Sequence, residues 1–194
     1  MTIDNTDAPN TISADLFTVE AGELDFAGDY NGAMIIGADG VLSPGNSIGT
    51  LSVTGNVTVD NGGKVLFEFG SFDSGEYDKL FVLGADNAFT AGESSIELSF
   101  LNGDQEDWAT LFNDGGIQLI SGNNLNIDNI SLTDDFGGLF ALSGNGGDLY
   151  LVAGAPGPGP GPGPEPGSGV PEPSTWALLL LGAAGLMYWR KKNA

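Results

Sequence analysis

Gly40-Val41-Leu42-Ser43-Pro44-Gly45-Asn46-Ser47-Ile48-Gly49-Thr50-Leu51-Ser52-Val53-Thr54-Gly55-Asn56-Val57-Thr58-Val59 is the stretch that decides the fold. Leu51 and Val53 alternate with Thr50 and Ser52, and Val57 and Val59 alternate with Asn56 and Thr58. Period two is the signature of a strand with one face buried. Gly55-Asn56 and Asp60-Asn61-Gly62-Gly63 punctuate the pattern with residues that tolerate positive φ. The alternation resumes at Val65, Phe67 and Phe69, at Leu80 and Val82, and at Ile96, Leu98 and Phe100.

Working outward, Leu16–Val19, Glu23–Phe26, Ala33–Ile36 and Thr50–Val53 read as strands of about four residues between Gly, Asn or Asp. Ile117–Ile120 and Leu125–Leu132 continue the strand character, and Leu139–Leu142 with Asp148–Val152 reads as a closing hairpin. No helical period lasts ten residues before Ser174, so the body is all-β.

Two architectures fit. Residues 40–56 resemble the repeat of autotransporter passenger domains, and Val65–Phe69 and Asp78–Val82 are similar to its following rungs. That resemblance covers roughly residues 30–100 and implies a right-handed parallel β-helix-like solenoid, with Pro44-Gly45-Asn46 at a corner between rung strands. In such a fold each rung stacks on its neighbour and inward Val, Ile, Leu and Phe form ladders. The alternative is an antiparallel β-sandwich with hairpin turns at Asp60–Gly63 and Asn145-Gly146.

Beyond Gly154 the composition changes. Ala155-Pro156-Gly157 opens a Pro/Gly alternation with nothing to bury, which marks residues 155–169 as a linker. Its period of two excludes a collagen triplet. Val170-Pro171-Glu172-Pro173-Ser174-Thr175 follows, then an apolar run from Trp176 to Trp189, then Arg190-Lys191-Lys192. The prolines hold the backbone extended, and Ser174 or Thr175 can cap a helix. A helix apolar on all sides belongs in a protein core or in lipid. Its aromatic ends suit two interfaces, and the basic triplet predicts a cytosolic C-terminus. We expect one transmembrane helix at about 174–189, short for a bilayer core of ~30 Å.

The whole tail resembles the PEP-CTERM sorting signal, which implies processing by an exosortase-type membrane protease. On that resemblance Val170, Pro171, Glu172 and Pro173 are the sorting motif, and Arg190, Lys191 and Lys192 set membrane orientation. The resemblance further implies a bacterial cell-envelope protein. Its tail inserts in the inner membrane before processing, while its body passes through the periplasm to the cell surface or the extracellular matrix. Proteins of this kind carry a secretory leader, whereas Met1–Asp7 has no basic and no apolar region. The body, residues 1–154, is therefore expected to be N-terminally incomplete.

Composition bounds the chemistry. The 194 residues include no Cys and no His and carry a formal net charge of −21. Disulfides, thiolate and imidazole catalysis, and zinc held by Cys and His fall away. Before Gly154 the only basic residues are Lys64 and Lys79. A surface this acidic repels nucleic acid, so no nucleic-acid partner is expected. Asp104, Glu106, Asp107 and Asp114 offer hard oxygens in loops without an Asp-x-Asp-x-Asp-Gly spacing, which makes them weak calcium candidates and leaves no expected cofactor. Two functions remain open. One is a non-enzymatic structural or adhesive protein of the envelope or of a biofilm matrix, with exopolysaccharide as a partner. The other is a fragment of a polysaccharide-active β-helix enzyme.

Overall fold

The computed structural model describes residues 11–73, 75–101 and 116–154. All of them lie in the first of the chain's two units, Met1–Gly157. The described residues are all-β and contain no helix, as the period-two reading requires. The strands are β1 (Thr11–Asp25), β2 (Gly28–Ser43), β3 (Thr50–Thr54), β4 (Val57–Val59), β5 (Lys64–Phe69), β6 (Lys79–Val82), β7 (Ala88–Ala91), β8 (Ser94–Phe100), β9 (Ile117–Gly122), β10 (Asn124–Asn126), β11 (Ile130–Leu132), β12 (Phe140–Asn145) and β13 (Asp148–Ala153).

Pairing is parallel over most of this length and falls into three ladders. The first runs β1-β2-β3-β6-β9, the second β1-β2-β4-β7-β10 and the third β1-β2-β5-β8-β11. After β2 the chain visits the three ladders in turn, then repeats the circuit. Each turn of the circuit places like residues over like. Leu24, Leu42, Val65, Ile96 and Leu132 are consecutive partners in the third ladder. Met34, Val57 and Phe89 are consecutive partners in the second. Of these, Leu24, Leu42, Val65, Ile96, Met34, Val57 and Phe89 are buried.

The first two passes are long strands where short ones were expected. Leu16–Val19 and Glu23–Asp25 belong to β1, and Ala33–Ile36 lies within β2. Register shifts at Ser13/Leu16 and Val19/Ala21 let the paired backbones turn corners together without breaking the ladder. Tight corners exclude side chains. Gly32 has φ +144, and a Cβ there would stand 1.7 Å from the Ala14 carbonyl oxygen; one on Gly55 would stand 1.9 Å from that of Gly32. Asparagines staple other corners between passes. Asn56 Oδ1 accepts from Ala88 N and Asn61 Oδ1 from Glu93 N, each at 2.9 Å.

Two turn readings part company. Asp60–Gly63 is not a hairpin turn. It links β4 to β5, which pair with earlier and later passes and not with each other. Asn145-Gly146 is one: β12 and β13 pair antiparallel, and Gly146 and Gly147 between them have φ 65 and 103. A two-residue turn of this kind needs positive φ at both positions. β13 then pairs antiparallel with β9, so the hairpin covers the last strand of the first ladder. The expected continuous strand Leu125–Leu132 is interrupted by a turn in which Ile130 N donates to Ile127 O.

Leu51 tests the ladder. It is fully buried and sits in register between Gly28 and Leu80. Leu51→Asp puts an unpaired charge among apolar neighbours and should cost more than about 4 kcal/mol, which unfolds a marginal domain. Thr54→Asp, at an exposed position of the same strand, should shift stability by less than about 1 kcal/mol. Urea denaturation of the two variants measures both.

Candidate functional site

Period two places Asp78 on the same face as Leu80 and Val82, among residues that point inward. Its side chain is fully buried. One carboxylate oxygen accepts from Gly49 N at 2.7 Å and the other from Glu68 N at 2.9 Å. The first donor ends the connection from β2 to β3, and the second lies in β5, so a single carboxyl holds two successive passes. The connection is packed close: a Cβ on Gly45 would stand 2.6 Å from Asp78 Oδ1. Burial pushes the Asp78 carboxyl up to about 7. The two amide donors pull it back, and the charges of Glu68 and Asp25 add to the rise.

Around it lies a band of carboxylates. Glu68 is raised by burial first and by Asp25 second. Glu23 is raised by burial, then by Asp25, Glu68 and Glu97. Lys64 bridges to Glu97 at 3.3 Å across the third ladder, with both side chains substantially exposed. Such a pair contributes at most about 1 kcal/mol.

A second feature is an open hollow of about 460 Å³ lined by Ile130–Asp135 and Phe140–Leu142. Its two acids are occupied by their own turn: Asp134 Oδ1 accepts from Phe136 N at 2.7 Å and Asp135 Oδ1 from Gly137 N at 3.1 Å. Among the described residues no cluster of three acids is placed to hold a metal ion. The calcium candidates Asp104, Glu106, Asp107 and Asp114 lie outside the described residues. So do the sorting motif Val170–Pro173, the expected helix at about 174–189, and Arg190, Lys191 and Lys192. Among the described residues no helix is long and apolar enough to cross a membrane.

Comparison with known families singles out the tail. The model of the PEP-CTERM protein-sorting motif matches residues 169–192. The match takes in Val170-Pro171-Glu172-Pro173, the apolar run and the basic triplet. No curated protein matches the chain. The chain thus carries a PEP-CTERM signal, which makes it an exported protein of the cell envelope, sorted by an exosortase.

Asp78 was the residue that motif reading passed over, because it belongs to no motif. Its signal was parity: an acid in an inward register position needs partners for both oxygens. At pH 5, Asp78→Ala strands two buried amides and should lower unfolding free energy by about 2–4 kcal/mol. Lys64→Ala should lower it by less than about 1 kcal/mol. Paired urea titrations separate the two.

Proposed function

We propose that the chain is a non-enzymatic structural or adhesive protein of the bacterial envelope, built as a right-handed parallel β-solenoid and sorted through its tail. The observation that carries the reading is the sorting motif at residues 169–192. The solenoid is supported by the three parallel ladders that the chain visits in rotation. Ladder surfaces of this kind are extended and rigid, which suits contact with exopolysaccharide or a biofilm matrix. The acidic body keeps the exported protein soluble.

In this reading residues 155–169 are a spacer. At about 3.1 Å per residue it can hold the body ~50 Å from the processing site. Residues 174–189 insert in the inner membrane, with Arg190, Lys191 and Lys192 on the cytosolic side. Pro171 and Pro173 keep the cleavage region extended and free of competing backbone hydrogen bonds, so a membrane protease can take it as a strand. Glu172 is the only charge between Gly169 and Trp189 and is the natural recognition element.

The mature protein from the host envelope should have lost the segment from about Trp176 onward, and Glu172→Ala should retain it. Intact-mass analysis decides. Wild-type protein that still carries Trp189 and the basic triplet would make the tail a plain anchor.

A further inference from the structure

We propose that the outer edge of β1, at the near end of the ladders, is a docking strand for a cationic extended polypeptide segment of another protein. Among the described residues β1 pairs only with β2, so its other side presents amides and carbonyls without a strand partner there. Leu16 on this strand is 52% exposed, more than Leu83 or Leu101. Further along, the register shift between Val19 and Ala21 leaves Glu20 out of the pairing. There Phe17–Ala21, Glu23 and Leu24 line an open hollow of about 490 Å³. Its floor is apolar: Val19 and Leu24 are buried, and Phe17 packs against the core. Its rim is acidic, with Glu20 and Glu23 exposed.

These features select the occupant. A strand added to a sheet edge gains main-chain hydrogen bonds, and pockets for its alternate side chains give it specificity. A lysine or arginine suits this hollow, since its stem covers apolar surface while its charged head reaches the acidic rim. Asp15, Glu20, Glu23 and Asp25 give β1 four carboxylates, and the strand has no cation. The neighbouring face continues the same sign: burial raises the Glu23 carboxyl first, and Asp25, Glu68 and Glu97 raise it further. Lys64, the one cation on the strands of the third ladder, already bridges to Glu97 at 3.3 Å. A second copy of β1 would add its own carboxylates to these. Met1–Asn10 carries Asp4 and Asp7 and no basic residue, so it brings no counter-charge either. A cationic segment from another protein supplies the charge, the strand and the long side chain together. It is a partner additional to the polysaccharide proposed above, and it rests on the body alone, whatever becomes of the tail.

A blocked nine-residue peptide of alternating lysine and valine probes the edge, with the full chain held in neutral detergent. At about ten times its Kd the peptide should raise hydrogen-exchange protection of segments covering 14–25 roughly tenfold. Segments covering 57–59 and 89–91 should not change. Binding read by fluorescence anisotropy should weaken as salt rises. A peptide with glutamate in place of lysine should not bind. Nor should the lysine peptide N-methylated at every backbone nitrogen, which keeps its charge and loses its donors. Glu20→Lys combined with Glu23→Lys should weaken the lysine peptide at least about tenfold. Should that variant fail to fold, the N-methylated peptide decides alone. Equal binding of the N-methylated peptide would show adhesion by charge without strand pairing. Protection at 14–25 that is present without peptide and disappears on removing residues 1–10 would show that the chain covers its own edge. Self-association that the charge reversal abolishes would place a second copy there. Each of these, or unchanged protection at 14–25, overturns the proposal.

Discussion

In-register parallel pairing between successive passes is the constraint on which the rest of the body depends. A parallel ladder satisfies each backbone amide and carbonyl with the pass before and the pass after, so no pass is complete by itself. The same register stacks equivalent side chains, which is why Leu24, Leu42, Val65, Ile96 and Leu132 follow one another across the third ladder. Each fully buried member contributes about 1.5–3 kcal/mol through loss of apolar surface. Backbone pairing and core packing thus enforce one another, and a slip of one residue would turn every inward side chain outward.

Corners are where that constraint is negotiated. Between the first and second ladders and between the second and third, the connections stay short, and Gly32 and Gly55 approach the backbone of the preceding pass too closely for a Cβ. Between the third ladder and the first they lengthen: 26–27, 44–49, then 70–78. The longer connections lie at one corner, between strands of different ladders, where extra length interrupts no ladder pairing. Asp78, in the longest of these, supplies acceptors for Gly49 N of the connection 44–49 and for Glu68 N of β5. A carboxyl does this well in geometry, since it offers two oxygens, and poorly in electrostatics, since its charge is kept from water.

Strand periodicity was legible because the inward positions of the middle passes hold almost nothing but Val, Ile, Leu and Phe. The ends of β1 and β2 were less so, since strands that turn corners through Gly22 and Gly32 look like separate short strands in a linear reading. Pass length was obscured at the same corner that lengthens. Ser52 pairs with Asp29, yet Ile120 pairs with Leu80, so no single repeat length runs through the sequence. Asp60–Gly63 carries hairpin chemistry but makes a corner, because turn residues specify positive φ and not the partner of the strands they join. The tail was read from its three ordered parts alone. Asp78 was visible only through the parity of its register, a tertiary signal that becomes meaningful once Leu80 and Val82 are known to point inward.

The two ends of the ladders differ among the described residues. At the far end β13 lies antiparallel on β9, so one last strand is covered by a hairpin. At the near end β1 pairs only with β2 among the described residues. A strand edge without a partner among the described residues is a row of amides and carbonyls of the kind that invites another strand. Asp15, Glu20, Glu23 and Asp25 are spread along that edge, and β1 has no basic residue. A second copy offered to the same edge would bring like charges together along its whole length, without a counter-charge to offset them. The acidity that marks the chain in composition thus has a structural task at β1. It discourages end-to-end pairing at an edge whose apolar residues, Leu16 among them, would otherwise favour it.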